Sequence, residues 1–447
     1  MASVELEESP SETVRKVEVS GGGGSKTSEK SKKKKKKTKK EKEKDKNGAY
    51  RYYMSKLGFG CVRLRTEYDK EGNFDMEVVD GDGQRRNPTH LVIMVNGLIG
   101  SAENWRYAAK QFLKKYPEDV IAHCSECNPS KLTFDGVDNM GDRLAEEVIS
   151  VIERHPGVQK ISFVGHSLGG LVTRYVIAKL YGRDVRREFA QENGECRSDG
   201  SKNPCPEEKF KGKIAGLEPM NFITFATPHL GSRGHKQVPA FCGFYTMEKV
   251  ASRASWLLGR TGKHLFLADK DNGKPPLLLR MANDCEDLKF ISALQSFKRR
   301  VTYANIRYDH LVGWSTSSLR RRDELPKLRH LSKDDKYRHI VNVETAETSS
   351  RQQEVLSEAK AKNIDLEEEM LRGLTKMTWE RIDVNFSGTK QRYLAHSTIQ
   401  VNRYCINSAG ADVVHHMIDN FSYNSCQLVI NIVPIWGYGL IGKGERI

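Results

Sequence analysis

What the chain lacks narrows its class before any motif is read. Its longest uninterrupted apolar stretches are about five residues, such as Leu91 to Val95, against the ~18 to 20 that a bilayer-spanning helix requires. No transmembrane helix is expected. The first residues, MASVELEESPSETVRK, hold no apolar core of the secretory kind, and four Glu within the first twelve positions disfavour an organellar transit peptide. The nine Cys are an odd number, scattered from Cys61 to Cys426, which speaks against a disulfide framework and for a reducing compartment. Cys124 and Cys127 show half the spacing of a zinc site or redox pair, but no second CxxC or CxxH accompanies them. An intracellular, cytoplasmic setting follows, with membrane association left open.

At 447 residues the chain can form one large α/β domain with insertions or two to three domains, and it can bury a full core. Its net charge of +15 is uneven: residues 1–48 carry 15 Lys/Arg against 9 Asp/Glu, so +6 of the total lies in about a tenth of the length. That segment joins Gly21 to Gly24, Lys32 to Lys37 and alternating Lys and Glu, a composition that cannot bury enough apolar area to offset chain entropy. A disordered Lys-rich tail is expected over 1–48. Its lysine run has no interleaved aromatics and no base-reading module accompanies it, so no specific nucleic acid is expected as partner. A solvated tail is the plainer reading, though a nuclear destination or a hold on anionic lipid stays open.

From Gly48 the texture changes. Phe59 to Tyr68 and Asn73 to Val79 read as two strands about a Lys70-Glu71-Gly72 turn. A βα alternation follows: strands at 90–96, 120–123 and 161–164, helices at 103–116, 139–154 and 168–181. Strands alternating with helices at this spacing predict a mostly parallel, doubly wound sheet with helices on both faces. The polar stretch 182–213 reads as a surface insertion; 221–226, 300–306 and 379–386 resume the sheet, and 411–421 closes it with a helix. Between them, 233–297 holds an amphipathic helical candidate at 245–258, equally consistent with a lid or with core packing, and 319–377 reads as a charged, partly helical insertion. The segment 428–441 is apolar but short, a last strand or a patch for a membrane surface. There is no internal repeat.

The strongest motif is GHSLGG at 165–170, between the strand ISFV and the helix LVTRYVIAKLY. It fits G-x-S-x-G, in which Ser stands on a sharp strand-to-helix turn and flanking glycines, here Gly165 and Gly169, allow close backbone approach. That turn lifts the hydroxyl above the carboxyl edge of the sheet at a helix amino terminus, where backbone dipoles stabilise developing negative charge. Ser167 is the predicted nucleophile; an incidental Ser in a Gly-rich turn is the alternative. A Ser hydroxyl needs a base and oxyanion donors to react at neutral pH.

With that motif stand VNGLIGSAENW (95–105), LTFDGVDNMGDRLAEEV (132–148), FATPHLGS (225–232), YANIRYDHLVGWSTSS (303–318) and AHSTIQV (395–401). Together they resemble the lipase-like putative serine esterases, plant-type α/β hydrolases, from about His90 to Phe421. The resemblance implies an α/β-hydrolase domain over 49–447 with lid-like insertions near 182–213, 233–297 and 319–377. It implies an oxyanion loop at Asn96 to Ser101, with the backbone N–H groups of Leu98 and Leu168 as donors; read alone, Asn96-Gly97 is an ordinary turn. Many lipases have His-Gly there.

The family order of Ser, Asp, His points to Asp309, beyond the strand VTYANI, as the acid, although that residue could instead cap a helix or lie on the surface. It points to His396 as the base. His415 and His416 are rivals within a helical segment, while His310 and His166 are constrained by their neighbours, and His229 reads as structural. The implied function is cleavage of carboxylic esters, of lipid or another hydrophobic acyl group, through an acyl-enzyme and without metal or organic cofactor. A catalytically silent scaffold that binds a partner through its insertions is the alternative. Peripheral membrane contact is left open, and the sequence does not fix the oligomeric state.

Overall fold

The computed structural model describes residues 87–186, 210–232, 258–269, 273–332, 334–345 and 366–422, together with the backbone of 63–68 and 74–79. The tail 1–48, the lid candidate up to residue 257 and the apolar segment 428–441 lie outside the described residues.

Nine strands form one sheet in the order β1-β2-β4-β3-β5-β6-β7-β9-β8. They are β1 (Arg63–Tyr68), β2 (Phe74–Val79), β3 (His90–Val95), β4 (Val120–Cys124), β5 (Lys160–His166), β6 (Glu218–Phe225), β7 (Arg299–Asn305), β8 (Ile340–Glu344) and β9 (Glu380–Val384). The six from β4 to β9 in that order run parallel, while β1 and β2 at one edge and β8 at the other are antiparallel to their neighbours. This is the α/β-hydrolase fold.

The order 4-3-5 means that the chain builds to one side of β3, then crosses to the other. At such a reversal the loops leaving adjacent strand ends diverge and open a crevice. The register sets Val95 of β3 opposite Gly165 of β5. The oxyanion loop and the nucleophile turn therefore leave the sheet side by side.

Alternation across the pleat explains the two cores. Leu91, Ile93 and Val95 face one layer while Val92 and Met94 face the other, all fully or nearly fully buried. The first layer holds α2 (Val137–Arg154) and α3 (Leu168–Leu180); α2 turns Val137, Met140, Leu144, Val148 and Val151 inward at helical spacing. The second holds α1 (Arg106–Lys115) and α5 (Ala411–Asp419). Between them in sequence, α4 (Leu366–Leu374) packs Met370, Leu371 and Leu374 onto the first layer.

Two local departures from the sequence reading stand out. The expected helix 103–116 is a 3-10 turn over Ala102–Trp105, capped by the Asn104 side chain on the Ser101 N–H, followed by α1. The stretch 319–377 also contains an edge strand, β8. Its polar residues are not solvated: Asn342 donates to Asp383 at 2.8 Å, and Glu344 accepts from Arg320 at 2.8 Å and Arg381 at 2.5 Å. Arg320 also reaches Asp383 at 2.9 Å. A buried ion network, together with the buried Ile340 and Val341, seats this strand on β9.

At the segment 182–213, Gly182 N–H donates to the Lys213 carbonyl at 3.0 Å, so its two ends meet beside α3. Among the described residues no helix is long and apolar enough to cross a membrane.

Candidate active site

Ser167 stands between β5 and α3 with φ 53° and ψ −125°, a conformation that costs a non-glycine residue of order 1–3 kcal/mol and persists only where its surroundings impose it. The surroundings are visible. Ser167 N–H donates to the Phe225 carbonyl on β6 at 2.8 Å. A Cβ on Gly169 would sit 2.4 Å from the Val95 carbonyl oxygen, and one on Gly165 would meet the Gly170 backbone at 2.7 Å. The elbow is thus pressed into the end of the sheet by glycines that leave no room for a side chain.

His396 lies in the short helix Ala395–Thr398, on the excursion after β9. Its Nε2 is 2.9 Å from Ser167 Oγ and its Nδ1 is 2.9 Å from Asp309 Oδ2. An ionised carboxylate only accepts, so Nδ1 carries the proton, Nε2 is the acceptor, and the serine hydroxyl donates to it. Asp309 follows β7 and is buried. Its Oδ2 also accepts from Asn305 Nδ2 at 2.9 Å, and its Oδ1 from the backbone N–H groups of Leu311 and Val312 at 3.0 and 2.9 Å. Burial alone would raise its pKa, but the attraction of His396 and these hydrogen bonds outweigh it and hold the carboxyl below the usual range.

The loop after β3 passes directly over the nucleophile: a Cβ on Gly97 would lie 2.8 Å from Ser167 Cβ. Asn96 pins this loop, donating to the carbonyls of Gly97 at 3.1 Å and Asn128 at 3.3 Å. Thr133 Oγ1 accepts from Ile99 N–H at 3.0 Å, and Ile99 itself has φ 57°. Among the described residues the Leu98 N–H has no hydrogen-bond acceptor. The Leu168 N–H, first of α3, is an amide that a helix leaves unpaired. Two free backbone donors therefore stand on the residues that follow Gly97 and Ser167.

His166, set aside in the sequence reading as too constrained to be the base, instead holds the base. Its Nε2 donates to the His396 carbonyl at 2.7 Å and the two rings lie 4.7 Å apart. Burial, and then the neighbouring His396, push its pKa down to about 3, so it stays neutral. The rival histidines are engaged elsewhere. His416 is buried against the Tyr303 hydroxyl at 2.9 Å, and His415 lies near the Tyr107 hydroxyl at 3.4 Å. His310 points outward beside Asp309. His229 is fully buried, with Nε2 3.0 Å from Thr224 Oγ1, and its carbonyl accepts from the buried Arg174 at 3.0 Å.

Other contributors have weaker sequence signals. Asn104 accepts from Ser101 N–H at 3.0 Å and donates to Asn402 Oδ1 at 2.5 Å, joining the oxyanion loop to the histidine segment. The spacing Ser101-x-x-Asn104 resembles a capping box and could have flagged half of this; the half across 298 residues carries no local pattern. Cys127 is kept as a protonated thiol by burial and by Glu147. Among the described residues no group of three or more His, Cys, Asp or Glu is placed to hold a metal ion.

Comparison with known proteins follows this geometry. The family described as "Putative serine esterase (DUF676)" matches residues 85–319. A protein of Saccharomyces cerevisiae called "Putative lipase ROG1" is 31% identical over 261 residues, covering 57% of this chain and 32% of its own length. A second from that yeast, "Putative lipase YDL109C", is 27% identical over 235 residues, covering 52% of this chain and 30% of its own. The chain thus spans about a third of the length of these relatives. Among solved structures, carboxyl esterase 2 of the fungus Tuber melanosporum aligns at 9% identity and a TM-score of 0.35, over 80% of this chain and 87% of that one.

Proposed function

The chain belongs to the DUF676 family of putative serine esterases, and on that premise we propose that it hydrolyses carboxylic esters through Ser167, His396 and Asp309. The observation that carries the reading is the unbroken hydrogen-bond chain from Ser167 Oγ through both His396 nitrogens to Asp309, each link at 2.9 Å.

In this mechanism His396 Nε2 takes the Ser167 proton as Oγ attacks the ester carbonyl. The developing oxyanion lies against the Leu98 and Leu168 amides, each worth roughly 3 kcal/mol of transition-state stabilisation. Asp309 keeps Nδ1 protonated and stabilises the imidazolium. Collapse of the tetrahedral intermediate breaks the ester C–O bond, and His396 returns the proton to the departing alkoxide. Water then attacks the acyl-serine with His396 as base again, releasing the acid and restoring the hydroxyl. A hydrophobic acyl group is the substrate class we favour, supported by exposed apolar side chains on the loops around Ser167.

The test is covalent labelling of the purified chain with a fluorophosphonate, which reacts with activated serines. Labelling should vanish in Ser167→Ala and fall sharply in His396→Ala. A folded wild-type chain that does not label, and that turns over no ester, would favour the silent scaffold.

A further inference from the structure

Of the nine large apolar side chains left exposed on the described residues, four sit on loops that leave one edge of the sheet. Ile99 (64% exposed) follows β3 on the oxyanion loop, Leu311 (57%) follows β7 two residues after Asp309, and Tyr393 and Leu394 (61% and 47%) follow β9 just before His396. All four leave the carboxyl ends of parallel strands, the edge at which Ser167 stands. The Tyr308 and Tyr393 rings meet at 5.8 Å, with the Arg392 guanidinium over both, which ties the acid loop to the base segment. An apolar rim of this kind exposed to water on one edge of a protein marks a surface that another phase or partner covers.

The charge around the rim says which. From Val384 to Ala411 the chain has Lys390, Arg392 and Arg403 and no Asp or Glu; Lys390 and Arg403 are exposed, as is Arg307 beside the acid loop. The nearby exposed Glu103 is already paired with Arg106 at 2.5 Å. Exposed apolar side chains and exposed cations on the same loops fit the interfacial zone of an anionic bilayer, where apolar groups enter and cations meet headgroups. A protein partner would need shape complementarity over a far larger face than four side chains provide.

We propose that this rim docks on an anionic membrane surface and presents the Ser167 crevice to it, an inference that rests on the ester-hydrolase reading for its purpose but not for its test. The Lys-rich residues 1–48 would also attract anionic vesicles, so the informative comparison is between full-length chains with identical tails.

Co-sedimentation with vesicles of phosphatidylcholine, alone or mixed with phosphatidylserine, is measured for Ser167→Ala, which consumes no lipid. It is repeated for that protein also carrying Leu311→Ser and Leu394→Ser. Partition onto the mixed vesicles should fall about tenfold for each leucine removed. A second variant, Lys390→Glu with Arg403→Glu, alters only exposed side chains and should cost about fivefold per cation lost on the mixed vesicles. Unchanged partition in both variants overturns the proposal and assigns any binding to the tail. Equal partition of the parent onto both vesicle types overturns the anionic assignment. A change in sedimenting mass of the leucine variant without lipid would show the rim to be a contact between copies of the chain, and overturn it too. None of these readouts uses ester turnover, so docking and catalysis stand or fall separately.

Discussion

His166 donates its Nε2 hydrogen to the backbone carbonyl of His396 at 2.7 Å, so the residue before the nucleophile positions the segment that carries the base. In the proposed acyl-transfer step His396 would become an imidazolium 4.7 Å from the His166 ring. A neutral His166 is compatible with that charge. His166→Ala should lower kcat by about tenfold to a hundredfold, the usual scale of a misplaced catalytic group, with a smaller change in KM. His166→Gln, which can still donate, should recover part of the loss in steady-state assays of a soluble ester.

Asp309→Asn should lower turnover by a factor on the order of 10⁴ by presenting the wrong histidine tautomer. The amide oxygen can still accept from Leu311 and Val312, as Oδ1 does now, so the thermal unfolding midpoint should change little. Activity that survives this change would show that another acid serves His396.

Gly97→Ala would place a methyl group 2.8 Å from Ser167 Cβ. The oxyanion loop must then lift, and the Leu98 amide moves off the reacting carbonyl. Loss of one such donor costs about 10²- to 10³-fold in kcat. A loss of stability of about 1–3 kcal/mol in urea unfolding should accompany it, since Gly97 is buried and Leu98 packs against the core.

Stability should fall steeply in mild acid. Burial holds His90 and His166 at about 3 and His416 at about 4, all below the ordinary 6.5, so the folded chain keeps them neutral where the unfolded chain binds protons. Protons therefore favour the unfolded state below about pH 6.5. Each histidine removes up to about 1.4 kcal/mol per pH unit down to its own folded value, and above pH 7 the effect is absent. Asp309, held below its usual value, adds to the loss at the acid end of that range. Melting temperatures between pH 7 and pH 4.5 give the slope; a flat profile would mean these rings are protonated in the native state.

Arg320→Ala should destabilise the chain by about 3–5 kcal/mol, because it leaves Glu344 and Asp383 buried with reduced compensation. Asp383 would keep only its bonds from Trp314 and Asn342, and Glu344 its bond from Arg381. Hydrogen exchange should report the loss first along β8, the edge strand that the network seats.

The parts of the site that the sequence reveals are those written locally. The nucleophile turn is a strand, a Gly-His-Ser-Leu-Gly-Gly run and a helix in immediate succession, and each glycine there has a steric reason that no other residue satisfies. Asp309 and His396 are read from family order and from loops that follow strands, and the structure sets both in hydrogen-bond reach of the chain from Ser167. β8 was hidden because Asn342 and Glu344 find partners inside the protein, so hydrophobic alternation is weak there. The bonds His166 to His396 and Asn104 to Asn402 join positions 230 and 298 residues apart. Such contacts exist only once the sheet is assembled.

That spacing has a consequence for synthesis. The proposed nucleophile and oxyanion loop follow β5 and β3, whereas the proposed base follows β9, the strand that pairs with β7, and a contact of such long sequence separation must first meet the entropy of loop closure. A nascent chain on the ribosome therefore carries Ser167 without its proposed base through more than two hundred further codons. On the proposed mechanism a polypeptide released before residue 396 would lack its base, so the hydroxyl stays silent until the whole sheet stands behind it.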